Sequence, residues 1–188
     1  MRWTLPNILS ILRLVAAPFF PAIYVLWEGA LAGGIALAVF VGASATDWVD
    51  GYVARRWNQT SRFGAMVDPI ADKAMVLIAL LVVVAQFGMA PVMTLAAGVI
   101  VFREVFVSGL REFLGAQAGQ LKVTKLAKWK TTVQMVAISV LIGHGLVAQP
   151  AIELLGTALL VLAAALTLIT GADYFAKAWP YLREEGQP

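Results

Sequence analysis

Four aspartates, Asp47, Asp50, Asp68 and Asp72, fall within 26 residues of the segment "TDWVDGYVARRWNQTSRFGAMVDPIADK". Asp47, Asp50, Gly51 and Ala54 follow steps of three and four residues, which places them on one stripe of a helix. Asp68 and Asp72 stand one turn apart on the next stretch, and the polar, basic connection "RRWNQTSRF" is short enough to join two antiparallel helices. Four carboxylates brought together repel one another, and desolvation pushes protons onto some of them unless a cation is present. Oxygen ligands suit a hard divalent cation, Mg²⁺ or Mn²⁺. Magnesium commonly bridges to a substrate phosphate instead of filling an all-protein cage, which implies a phosphorylated ligand. Arg55, Arg56 and Arg62 supply positive charge beside the carboxylates, suited to a diphosphate. Each Asp taken singly reads as a solvated helix end; four of them at helical spacing with small residues read as a site.

The elements that must position these residues are membrane helices. Of 188 residues, 61% are hydrophobic and 13% charged, with a mean hydropathy of +0.83, whereas a soluble domain has roughly a quarter of its residues charged. Cysteine is absent, which excludes disulfides, thiolate metal sites and a Cys nucleophile. Stretches of about 20 apolar residues, enough to span a bilayer, run over 8–27, 31–53, 65–87, 91–114, 131–147 and 152–176. The reading is an all-α integral membrane protein of six transmembrane helices in one domain, 1–188, with no linker dividing it. With the N-terminus inside, the inner segments hold Arg2, the 55–62 cluster, Lys122, Lys125, Lys128, Lys130 and Arg183, and the outer loops hold no Lys or Arg. Both termini and the Asp cluster therefore belong on the cytoplasmic side. The net charge of +3 describes a rim facing anionic head groups, and no nucleic-acid partner is expected.

At this point "DWVDGYVARRWNQTSRFGAMVDPIAD" resembles the CDP-alcohol phosphotransferase signature, D-x2-D-G-x2-A-R-x8-G-x3-D-x3-D, with Asp47, Asp50, Gly51, Ala54, Arg55, Gly64, Asp68 and Asp72 in register. The resemblance implies six membrane helices in a homodimer and transfer of a phosphatidyl-type group from a CDP-linked lipid to an alcohol, with release of CMP. It implies that Asp47, Asp50 and Asp68 hold a first divalent ion, that Asp47, Asp68 and Asp72 hold a second, and that Asp72 is the base taking the alcohol's proton. It also implies that Gly51, Ala54, Arg55, Ser61 and Gly64 border the CDP-lipid. "LPNILSILR" resembles the family's first-helix pattern and adds Asn7 and Ser10 as nucleotide contacts, with a helix cap as the alternative role for Asn7.

A second basic group concerns the acceptor. "FREVFVSGLREFL" holds Arg103, Glu104, Arg111 and Glu112, and "LKVTKLAKWKTT" holds four lysines. A phosphorylated acceptor calls for such charge and a neutral one does not. "REVFVSGLRE" followed by "KWKTTVQM" is similar to the phosphatidylglycerophosphate synthase branch of the family, which implies CDP-diacylglycerol and glycerol 3-phosphate as substrates. It also implies Arg103, Arg111, Lys128, Lys130 and Thr131 as acceptor-phosphate residues and a bacterial-type inner membrane location with the site facing the cytoplasm. Ala127 departs from the glycine expected in that motif. Lys122 and Lys125 read as topology anchors, His144 as a boundary residue and Asp173 as a solvated helix end. Two alternatives stay open: the same family with inositol phosphate, serine or phosphatidylglycerol as acceptor, and a divalent metal-ion transporter using the carboxylates for conduction.

Overall fold

Proline punctuates the first apolar stretch. Pro18 and Pro21 bracket a turn at 20–21, so the expected first span is a helix α1, Leu5–Phe19, followed by a short α2, Ala22–Leu26. The computed structural model describes residues 5–56, 62–120 and 125–183, with the side chains of 5, 6, 47–56, 62, 116, 117, 120 and 125 outside the description. The remaining helices are α3 (Gly29–Arg56), α4 (Arg62–Gln86), α5 (Pro91–Leu114), α6 (Lys125–Val147) and α7 (Pro150–Leu182), with a 3-10 helix at Gly115–Gln120 after α5. Pro91 and Pro150 stand at the first turns of α5 and α7, where the missing N–H costs nothing. Gly115, at φ +52°, ends α5 by turning its N–H back onto the carbonyls of Arg111 and Glu112.

By length and composition four segments can cross a membrane: Gly29–Thr46, Pro91–Leu114, Leu126–Val147 and Pro150–Leu182. The chain is thus an all-helical, multi-pass membrane protein. Of the six expected spans, two meet that measure less well for physical reasons. The apolar part of α1 is short, Asn7–Phe19, and α4 opens with Asp68, Asp72 and Lys73 before its apolar run begins.

Packing inverts the pattern of a soluble bundle. The interior is rich in alanine (Ala17, Ala36, Ala71, Ala79, Ala137 and Ala163 are fully buried), with Phe20, Phe40, Leu80, Ile100, Ile138 and Leu160 filling the gaps between helices. Large apolar side chains such as Leu12, Val25, Leu81, Leu95, Phe102 and Leu154 point outward. Small residues let helices approach where lipid gives no hydrophobic drive to associate, and an apolar exterior suits acyl chains. The α6–α7, α1–α4, α5–α7 and α3–α6 pairs share the main contacts.

The α3–α6 contact is closest at Gly33 and Gly145. A Cβ added at Gly33 falls 2.8 Å from the backbone carbonyl carbon of Gly145, and backbone cannot yield as a flexible side chain does. Gly33→Ala is expected to lower stability by about 1–3 kcal/mol through overpacking. Gly42→Ala, on the same helix with open space at its Cβ, is expected to be neutral or slightly stabilising. Thermal unfolding of the two variants in detergent checks this; equal melting temperatures would refute the role of the close crossing.

Candidate active site

Helix α4 carries Gly64, Asp68 and Asp72 at four-residue steps, one stripe of its N-terminal half. Helix α1 packs along α4 and presents its own polar stripe, Asn7, Ser10 and Arg13, each at most 5% exposed. The Ser10 hydroxyl donates to Asp68 Oδ1. Arg13 Nη1 donates to Asp72 Oδ1 at 2.5 Å, an ion pair in which Arg13 is buried and Asp72 is half exposed. An arginine buried between membrane helices needs such a carboxylate, so α1 and α4 are tied where the chemistry-bearing carboxylates stand.

The C-terminal part of α3 carries Asp47, Asp50, Gly51, Ala54 and Arg55, whose side chains lie outside the described residues, as does Ser61 in the connection to α4. Among the described residues no group of three or more metal-capable side chains comes together. Asp68 and Asp72, one turn apart, form a hard-oxygen pair of the kind that Mg²⁺ or Mn²⁺ takes, and the open side of Asp72 borders a cavity. The donor chemistry fits a hard divalent ion.

That cavity, about 360 Å³, lies between α4, α5, α6 and α7. Asp72 and Lys73 line one wall and Arg103, Glu104 and Arg111 another, opposite Ala127, Lys130, Thr131 and Gln134 on α6 and Thr170, Asp173 and Tyr174 on α7. Glu104 joins the cations: it accepts from Lys130 Nζ at 2.5 Å and from Arg103 Nη1 at 3.0 Å, with all three side chains mostly buried. The Arg103 stem lies against Gly171 of α7, where a Cβ would stand 2.9 Å from its Cγ, so the missing side chain at Gly171 makes room for the guanidinium. Four cations face three carboxylates in the lining, an excess of positive charge suited to a small phosphate monoester.

Of the acceptor-phosphate residues expected from sequence, Arg103, Arg111, Lys130 and Thr131 line the cavity. Thr131 is exposed and its hydroxyl donates to the Ala127 carbonyl at 3.2 Å. Lys128 is exposed and is not part of that lining. Asn7 and Ser10 are buried on α1, with Ser10 on Asp68. Four groups had no assigned role in the sequence reading: Arg13, Glu104, Gln134 and Tyr174. Gln134 follows Lys130 by one helical turn, the signal by which spacing finds it; Arg13 closes the quoted first-helix stretch, three residues after Ser10, and Tyr174 belongs to an element far from the aspartate motif. Asp173, read as a solvated end, lines the cavity and accepts from Lys177 at 2.6 Å. His144 lies at the other end of the bundle, its ring 5.1 Å from that of Phe87 and its Nε2 4.0 Å from Glu153.

Comparison with known proteins identifies the family. Residues 3–169 match the family model described as CDP-alcohol phosphatidyltransferase. The CDP-diacylglycerol--glycerol-3-phosphate 3-phosphatidyltransferase of Cereibacter sphaeroides is 49% identical to this chain, the alignment covering 98% of this chain and the whole of that protein. Proteins of the same name from Pseudomonas fluorescens and Salmonella paratyphi A are 38% and 37% identical, over 97% and 95% of this chain and 94% and 96% of theirs. With the family model covering most of its length and relatives this similar from end to end, the chain belongs to the CDP-alcohol phosphatidyltransferase family.

Proposed function

We propose that this protein transfers the phosphatidyl group of CDP-diacylglycerol to sn-glycerol 3-phosphate, giving phosphatidylglycerophosphate and CMP. The observation that carries the acceptor is the cavity in which Asp72 shares a wall with the Arg103–Glu104–Lys130 cluster and Arg111. It joins a carboxylate able to take a proton to cations able to hold a phosphate.

In this reading Asp47, Asp50, Asp68 and Asp72 hold two divalent ions. When bound, such ions neutralise the diphosphate and the negative charge that develops on CMP. The protein positions the rest. Gly51, Ala54, Arg55, Ser61 and Gly64, with Asn7 and Ser10, border the CDP-lipid. Arg103, Arg111, Lys130 and Thr131 in the cavity lining, with Lys128 exposed outside it, hold the acceptor's phosphate and aim its primary hydroxyl at the lipid-bearing phosphorus. Asp72 accepts the hydroxyl proton as the oxygen–phosphorus bond forms and the bond from that phosphorus to CMP breaks, so the displacement is direct and in line. Arg13 orients the Asp72 carboxylate from behind.

The whole chain acts as one domain with six spans, α1–α2 and α3 to α7 in turn, in a bacterial-type inner membrane. The cavity end carries Arg103, Arg111, Lys128, Lys130, Lys177 and Arg183, while the end with His144 and Glu153 has no Lys or Arg in its loops. By the positive-inside rule this asymmetry supports a reading in which the site and both termini face the cytoplasm. A homodimer is the expected assembly, in keeping with the resemblance.

The test is CMP release by the purified protein in detergent with CDP-diacylglycerol and Mg²⁺, given glycerol 3-phosphate, serine, inositol phosphate or phosphatidylglycerol in separate reactions. Release with glycerol 3-phosphate alone is the expected result. Release with a different acceptor would keep the carboxylate site and discard the acceptor assignment, and no release from folded protein would discard the reaction.

A further inference from the structure

Two residues of the cavity lining carry a buried oxygen without a hydrogen-bond partner among the described residues: Gln134, at Oε1, and Tyr174, at its hydroxyl. Gln134 is only 3% exposed, yet its side chain lines the cavity, as does Tyr174. Buried polar groups in folded chains are nearly always paired, so two unpaired ones in one cavity mark a place where a ligand supplies the partner. The two sit on facing helices, α6 and α7. Neither carries a charge, and Arg103, Arg111 and Lys130 already supply cations for a phosphate.

We propose that Gln134 and Tyr174 select the acceptor by its secondary hydroxyl, which deepens the proposed function and rests on it. Gln134 comes four residues after Lys130, a rise of about 6 Å, and Tyr174 comes three residues after Gly171, against which Arg103 lies. A phosphate held by Lys130 and Arg103 therefore leaves a three-carbon chain within reach of both oxygens. The C2 hydroxyl donates to Gln134 Oε1 and accepts from the Tyr174 hydroxyl, using both of its hydrogen-bonding capacities. The primary hydroxyl is left to face Asp72. A phosphate monoester without the C2 hydroxyl leaves both oxygens unpaired, and a site built to bind a hydroxyl rejects such an analogue strongly.

The test compares kcat/KM for sn-glycerol 3-phosphate with that for 3-hydroxypropyl phosphate, which keeps the phosphate and the attacking hydroxyl and lacks only the C2 hydroxyl. Wild-type protein is expected to favour glycerol 3-phosphate by about a hundredfold or more. Gln134→Met and Tyr174→Phe are each expected to reduce that ratio about tenfold, through loss with glycerol 3-phosphate alone and with KM for CDP-diacylglycerol unchanged. Tyr174→Phe removes a single oxygen and keeps the ring, so it carries the test even where Gln134→Met does not fold. A wild type that treats both acceptors alike, or variants that slow both by one factor, would overturn the proposal and leave the transferase reading intact. Wild-type protein that releases no CMP with glycerol 3-phosphate overturns both.

Discussion

Asp72→Asn is expected to lower CMP release about a thousandfold, the scale of losing a positioned general base, while the protein folds and binds CDP-diacylglycerol. Asparagine has nearly the volume of aspartate, and its amide oxygen can still accept from Arg13, so the α1–α4 contact survives in outline. What it loses is negative charge and the capacity to take a proton. Both losses act on the chemical step: the acceptor's hydroxyl proton has no carboxylate to go to, and the ion expected at Asp68 and Asp72 has one anionic ligand fewer. Turnover with saturating glycerol 3-phosphate, beside equilibrium binding of labelled CDP-diacylglycerol in Mg²⁺, separates chemistry from binding. Activity above a tenth of the wild-type value would remove Asp72 from the role of base.

Glu104→Gln is expected to destabilise the protein by about 3 kcal/mol, because it breaks a buried ion pair from one side. Glu104 is the single carboxylate contacting both Arg103 and Lys130 among the described residues, and the three are mostly buried. With the charge gone, two cations face each other across the cavity wall without compensation. The matched double change, Glu104→Gln with Lys130→Met, removes both members of the pair and is expected to recover much of the lost stability, since replacing a whole buried pair is often nearly neutral. It is also expected to lose acceptor affinity, because Lys130 is one of the proposed phosphate ligands. A further sign distinguishes the cluster from a passive structural knot: inorganic phosphate should raise the melting temperature of Glu104→Gln more than that of the wild type, as the anion takes the place of the missing carboxylate. A single variant as stable as the wild type, or a double variant less stable than the single, contradicts this account.

Local spacing made the carboxylate stripe and much of the acceptor cavity legible. Asp68 and Asp72 stand on one helix face as their four-residue separation required, and the helix boundaries at Pro91–Leu114 coincide with the expected span. Arg103 and Arg111 on α5 and Lys130 on α6 converge because both helices border one cavity. Contacts between distant elements were not legible. Arg13 had no role in the sequence reading, since nothing in its neighbourhood names a partner on α4. Glu104 read as one more charge on a helix until α6 brought Lys130 against it. Asp173 is nearly half exposed, as read, but it also lines the cavity because α7 continues to Leu182; at 33 residues α7 spans about 50 Å, well beyond a hydrocarbon core of about 30 Å. The side chains on the C-terminal part of α3 lie outside the described residues, and the two-ion arrangement rests on the signature spacing there.

The Arg13–Asp72 pair also bears on how the protein is made. Its partners are 59 residues apart in sequence, so a ribosome delivers α1 to the membrane well before α4. An arginine at the centre of a lone helix costs about 2.5–3.5 kcal/mol on insertion, and the apolar part of α1 is too short to offset that comfortably. α1 is therefore expected to settle into the bilayer only when α4 arrives with the carboxylate that neutralises it. The Arg13–Asp72 contact would then make integration of the first helix wait for α4, and a chain truncated before Asp72 is expected to leave its N-terminus at the membrane surface.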